Sequence, residues 1–241
     1  MTTKGRTVYL HFFTKPAKQF ELRGLKTRVL SASPLLARGT KLAVQQSRDT
    51  ATGLPVLKVD LSKLRYVAPV TVVALKLAAK PEVVTGPIQE PDGSITLLSA
   101  EAAVKPSKAK LGVTPLGFTV AWKQTGDWLE WNPAVLTPGA FRVEVVTTYQ
   151  HLEKWSGGHT ARIDAAGQTL RGKLTRDAEI PYTQAAYFPR IATDLGQLRV
   201  EQAGPLTVKL HLDRILPPPK IKPLWDDLSP KVIAVRLLPV K

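Results

Sequence analysis

The sequence predicts an all-β chain made of two antiparallel β-sandwich, jelly-roll-like domains in tandem. Three observations predict it. Apolar residues recur at every second position over short runs. The 20 prolines and 16 glycines are scattered between those runs as turns. No periodicity supports a helix longer than two or three turns. Hydrophobic residues are 44% of the 241 and charged residues 22%, the balance of a chain that buries a core. That length suits one large domain or two of ordinary size.

The first domain is expected over residues 1–80. Across residues 7–13, Val8, Leu10 and Phe12 share one face, the two-residue period of a half-buried strand. Short strands follow at 20–22, 28–31, 41–45 and 55–60, with Gly24, Gly39 and Gly53 as turn residues between them. Thr71, Val73, Leu75 and Leu77 align on one face of the last strand. Residues 81–93 hold three prolines and two glycines and read as a linker. The second domain is expected over 94–241. Phe141, Val143 and Val145 alternate with Arg142 and Glu144, and Leu206, Val208, Leu210 and Leu212 alternate with Thr207, Lys209, His211 and Asp213. Ile163 and Leu170 flank a hairpin turn at 165–168, a proline-rich surface loop is expected at 217–223, and 232–238 supplies the closing strand.

Composition excludes several chemistries. With no cysteine there is no disulfide, no thiolate zinc site and no cysteine nucleophile. No apolar run reaches membrane-spanning length. Residues 1–6 lead directly into a strand-like segment, so no signal peptide is expected here, and any targeting sequence would lie elsewhere. The formal net charge is +15, yet the lysines and arginines are dispersed, with no block of five or six. They read first as solvated strand faces and loops. The alternative is a field that attracts nucleic acid, anionic lipid or sulfated polysaccharide. No nucleic-acid recognition motif or basic-aromatic stripe is present, so neither nucleic acid nor a membrane is an expected partner.

Two sets of residues resemble known families. The first runs through 5–13, 22–26, 35–40, 54–56 and 70–77, from Gly5-Arg6-Thr7-Val8-Tyr9 to Val72-Val73-Ala74-Leu75. It resembles the C-terminal β-sandwich of glycoside hydrolase family 29, the α-L-fucosidases, over residues 5–83. It departs at Thr14-Lys15-Pro16, where the family often has Asp-Trp-Pro. The second set comprises 98–102, Gly126-Asp127-Trp128-Leu129-Glu130-Trp131, 138–143, 167–170 and 204–208. It resembles carbohydrate-binding modules of the family 6 and family 35 type. Together they imply an accessory region beside a fucosidase-type catalytic domain, in a secreted or periplasmic parent. Such a region would bind a glycan, fucosylated or sulfated, or brace the catalytic domain. A basic polyanion binder, or domains with no ligand, are the alternatives.

A retaining fucosidase needs two carboxylates about 5 Å apart, which the family carries on a (β/α) barrel of roughly 250 residues. Two sandwiches leave no room for one here, and Asp127, Glu130, Asp226 and Asp227 read as strand-edge and loop acids. The chain is therefore expected not to be an enzyme. Sugar platforms are aromatic rings, and the tryptophans are Trp122, Trp128, Trp131, Trp155 and Trp225. Trp128 and Trp131 lie three apart in a strand and face opposite sides, with Trp131 on the core face of Leu129. Trp155 falls in a polar, glycine-rich loop without a core role. Trp155, Trp225 and Trp128 are the candidate carbohydrate-binding residues. The second resemblance also implies a structural calcium, held by Glu101 and by Asp226 or Asp227, although the last strand lacks the expected Asp. Calcium takes six to eight oxygens. The four histidines show no metal-ligand spacing.

Overall fold

The computed structural model describes residues 1–37, 39–106, 108–150, 155–181, 188–217 and 229–240. The fold is all-β and antiparallel, with a single 3₁₀ turn, Ser99–Glu101, as the only helical element among the described residues. The chain divides into two compact units, Met1–Thr85 and Gly86–Lys241.

Unit 1 has seven strands: β1 (Thr2–Lys4), β2 (Thr7–Phe12), β3 (Gln19–Arg23), β4 (Val29–Pro34), β5 (Val44–Arg48), β6 (Pro55–Asp60) and β7 (Thr71–Leu77). They form two sheets, β1-β2-β7-β4 and β3-β6-β5. Alternation decides what lies between them. Val8, Leu10, Val73, Leu75 and Leu77 point inward to meet Leu57, Val59 and Leu61, and all are buried. Six of these strands answer the expected ones to within a few residues. The edge strand β1 escapes sequence reasoning because its three residues, Thr-Thr-Lys, carry no apolar alternation.

Unit 2 contains β8 (Ile95–Leu98), β9 (Ala103–Lys105), β10 (Gly112–Val113), β11 (Thr119–Val120), β12 (Trp128–Trp131), β13 (Ala134–Val135) and β14 (Gly139–Thr148). It continues with β15 (Thr160–Ala165), β16 (Gln168–Lys173), β17 (Ala178–Ile180), β18 (Arg190–Val200), β19 (Gly204–Pro205), β20 (Val208–Arg214) and β21 (Lys231–Pro239). Two five-stranded sheets result, β16-β15-β20-β12-β9 and β17-β18-β14-β21-β8. The core between them holds Leu129, Trp131, Phe141, Val143, Val145, Ile163, Leu210 and Val235, all 2% exposed or less. The turn joining β15 and β16 puts Ala166 and Gly167 at φ 51° and 70°, the primed hairpin geometry whose twist matches that of its strands.

The outer faces of these two sheets differ. On the second, Val146, Ile233 and Ala234 form a small apolar cluster with Phe118, which is brought there by the β10–β11 hairpin. That face is partly roofed. The first sheet carries polar residues on its outer face instead.

The proline-rich stretch 81–93 is not a free tether. Val84 N–H donates to Gly24 O at 2.8 Å, within unit 1. In unit 2, buried Gln89 accepts from Leu136 N–H and Thr137 N–H and donates to Gly93 O and Thr137 O. Isolated backbone bridges at Val83 and Ile88 add to these bonds, so each end of the stretch expected as a linker is tied into its own unit. Pro218, Pro219 and the rest of the expected 217–223 loop beyond Pro217 lie outside the described residues.

Gln89→Ala should therefore remove four part-buried hydrogen bonds and destabilise unit 2 by about 2 kcal/mol. Urea unfolding of the variant checks this. A change below about 0.5 kcal/mol, the level of an ordinary surface substitution, would contradict it.

Candidate functional site

The outer face of the sheet β16-β15-β20-β12-β9 collects chemistry that alternation forbids in the core. Leu129, Trp131, Val208, Leu210 and Ile163 take the inward positions, so Trp128, Glu130, Lys209, His211, Arg162 and Asp164 must point outward. Antiparallel pairing sets them in two rows. Arg171, Arg162, His211, Trp128 and Lys105 lie side by side across all five strands. Thr169, Asp164, Lys209, Glu130 and Ala103 form the next row.

Trp128 is held in place by its neighbours. Its ring stacks on the His211 imidazole with centroids 5.4 Å apart and planes at 26°. Its Nε1–H points to Glu130 Oε2 at 3.4 Å, and Lys209 Nζ lies 6.0 Å from the ring centroid. Burial, reinforced by the nearby Arg162 charge, lowers the His211 pKa. The imidazole is therefore neutral at pH 7, and the stack joins two uncharged rings. Arg162 is fixed between Asp164 and Asp213, its Nε donating to Asp213 Oδ1 at 2.9 Å. Arg171 reaches Asp213 Oδ2 at 2.8 Å, and Lys209 lies 3.8 Å from Glu130 Oε2. Half-buried side chains thus hold donors and acceptors in set positions beside an aromatic ring. Such a face suits a pyranose, with its apolar CH face on the indole and its hydroxyls met by charged groups.

Trp131 is core, as its position predicts, with Nε1–H donating to Leu98 O at 2.7 Å. Trp155 departs from the expectation of a loop ring without a core role. It is half-buried, its Nε1–H donates to Thr147 Oγ1 at 3.0 Å, and its ring lies over Gly157. A Cβ at residue 157 would come within 2.3 Å of that ring, so the glycine is what allows it to settle. Trp155 therefore anchors its loop. The sequence signal missed was the pair Trp155-x-Gly157, in which a residue without a side chain leaves room for a neighbouring ring.

Next to this anchor, buried His159 lies 2.9 Å from Ser156 Oγ through Nε2 and accepts Leu216 N–H at Nδ1, 3.0 Å. A backbone N–H only donates, so Nδ1 is bare and Nε2 carries the proton. That tautomer is the reverse of the one a serine nucleophile requires of its histidine base. The pair holds the loop together and does not prime a hydroxyl.

Glu101 is exposed at the end of the 3₁₀ turn. Trp225, Asp226 and Asp227 lie outside the described residues. Among the described residues, no three His, Asp or Glu side chains gather into a group able to hold a metal ion. Glu101 alone does not make a calcium site.

No family model matches the chain, and no curated protein does. Solved structures do. The α-L-fucosidase of Vibrio sp. strain EJY3 aligns over 97% of this chain at a TM-score of 0.57 and 18% identity. This chain spans 38% of that one. The xanthan lyase of Paenibacillus aligns over 99% of this chain and 23% of its own, at 14% identity and a TM-score of 0.42. The GH26-CBM35 β-(1,4)-mannanase of Podospora anserina aligns over 62% and 28%, at 12% identity and a TM-score of 0.37. At 18% identity, the fucosidase alignment establishes a shared fold.

His159 gives the loop a pH dependence with a definite sign. Burial lowers its pKa, so near pH 6.5 the unfolded chain gains a proton that the folded chain refuses. Stability is complete above that pH and is lost as pH falls below it. Urea midpoints at about pH 7.5 and about pH 5 should show this loss. In His159→Asn, where the amide oxygen replaces Nδ1 as acceptor for Leu216, the loss should shrink. Equal losses in the two proteins would contradict the assignment.

Proposed function

We propose that the chain is a non-catalytic accessory region of an α-L-fucosidase-like glycoside hydrolase, and that its second unit holds a glycan on the Trp128 face. The observation that carries this reading is the Trp128–His211 stack on an open sheet face, flanked by fixed carboxylates and cations. The ring and its partners are ordered before any ligand arrives, so binding costs little side-chain entropy. The fold likeness to a fucosidase supports the setting. A fucosylated glycan is the first ligand to try. Trp155 remains a secondary candidate, limited by its anchoring role.

Bracing is a second reading, and it concerns unit 1. Phe13, Leu35, Leu36 and Val67 all lie at one end of the β1-β2-β7-β4 sheet, where β2 and β4 finish and β7 begins. Their exposures run from 50% for Val67 to 84% for Leu36. Clustered apolar side chains of this kind fit a surface covered by another domain. In this reading a catalytic domain of the parent protein covers that end. The two roles are compatible.

Affinity electrophoresis through a fucosylated polymer tests the glycan reading. Trp128→Ala should weaken retention about tenfold, the scale of one lost aromatic contact of about 1.4 kcal/mol, with little change in melting temperature. Trp155→Ala should lower the melting temperature and leave most of the retention. The opposite pattern would move the platform to the loop end. No retention of the unaltered protein on any glycan would leave bracing as the function.

A further inference from the structure

The charge is unevenly divided between the two units. Residues 1–85 hold 15 lysines and arginines against 4 acids, whereas the rest of the chain holds 19 against 15. Three of the four acids in unit 1 are already engaged. Glu21 pairs with Arg23 and lies 4.0 Å from Lys58. Asp49 bonds Arg23, Thr52 N–H and Thr52 Oγ1–H, and Asp60 accepts from Ser62 N–H.

Strand pairing gathers six of the fifteen bases at the sheet end opposite the exposed apolar residues. Lys4 pairs with Thr7, Thr7 with Lys76, and Lys76 with Ser31, which makes a row across β1, β2, β7 and β4. Leu77 N–H donates to Arg6 O and Ala78 N–H to Arg28 O, so both arginines sit at the same sheet end. Thr27 Oγ1–H donates to Lys80 O, which brings Lys26 and Lys80 beside them. All six are exposed, and none forms an ion pair among the described residues. One acid, Glu82, stands nearby, its carbonyl accepting Lys26 N–H. Lysines also protect edge strands from unwanted pairing, but Lys76 lies on β7, which is paired on both sides and has no edge to protect.

We infer that this end of unit 1, formed by Lys4, Arg6, Lys26, Arg28, Lys76 and Lys80, is a binding surface for an anionic polysaccharide of the sulfated class. The inference extends the glycan reading to a second surface and does not depend on Trp128. Spacing selects the occupant. Lys4 and Lys76 stand two strands apart, about 10 Å. A nucleic-acid strand carries a charge about every 3.4 Å along the helix axis, and it is read by aromatic stacking where it is single-stranded. On the same outer face Tyr9 is half-buried one row further on, paired with Thr2 and Ala74 and not with any of the six cations, and the exposed Phe13 is at the opposite end. Sparse cations over a floor of hydroxyls, Thr7 and Ser31, match a chain with charges set on separate sugar rings.

The test uses the full chain and three probes: dextran sulfate, unsulfated dextran and duplex DNA, at matched ionic strength. The unaltered protein should bind dextran sulfate, ignore dextran, and lose binding as salt rises. The variant Lys4→Gln/Arg6→Gln/Arg28→Gln/Lys76→Gln should bind dextran sulfate at least about tenfold more weakly. The charge-matched control Lys108→Gln/Lys110→Gln/Lys123→Gln/Lys173→Gln, with all four changes in unit 2, should change it less than about twofold. Equal losses in both variants would reduce the effect to net charge and overturn the site. Duplex DNA bound as tightly as dextran sulfate would overturn the occupant. Trp128→Ala should leave dextran sulfate binding intact, so failure of either surface is read separately.

Discussion

The two-residue period of strands β12, β15 and β20 is the constraint on which this unit's core and its candidate site both depend. Every residue these strands give to the core forces a neighbour onto the opposite face. Leu129, Ile163 and Leu210 are fully buried, and Trp128, Arg162, His211 and Lys209 are outside for that reason. A register slip of one residue would invert both faces at once. The buried positions make such a slip costly, so the core that stabilises unit 2 also fixes the rows on its surface.

Electrostatics then separates the two units. In unit 2, acids and bases are nearly balanced, and on the candidate face they are tied to one another. Asp213 receives both Arg162 and Arg171, and Asp164 lies between Arg162 and His211, 3.5 Å from the imidazole. Exposed pairs of this kind add little to stability. Their effect is to hold side chains where a hydroxylated ligand can meet them. In unit 1 six unpaired cations cluster at one sheet end, and exposed apolar side chains stand at the other, beside Arg65. A sandwich with two such ends is suited to facing two different surroundings.

Much of this was legible in the sequence, and the failures have physical causes. Alternation in 7–13, 71–77, 141–145 and 206–212 located the main strands, because half-buried strands write their period into the sequence. The inward Trp131 and outward Trp128 followed from the same rule. Three features were not legible. The stack on His211 comes from pairing between residues 83 positions apart, which no local pattern records. The role of Trp155 depends on Gly157 and on Thr147, eight residues earlier near the end of the preceding strand, where neither hydrogen bond nor close approach leaves a periodic signal. The attachment of 81–93 combines isolated backbone bonds with the Gln89 side chain, one amide among residues that otherwise read as loop.

The central claim is that the Trp128 face is the glycan contact of unit 2. The chain has five tryptophans, hence five indole N–H resonances. Titrating the protein with a fucosylated oligosaccharide and following those signals by NMR tests the claim most directly. The account predicts that the Trp128 resonance shifts together with the His211 ring, while buried Trp122 and Trp131 stay fixed. A shift confined to Trp155 or Trp225, with Trp128 unmoved at saturation, would contradict it.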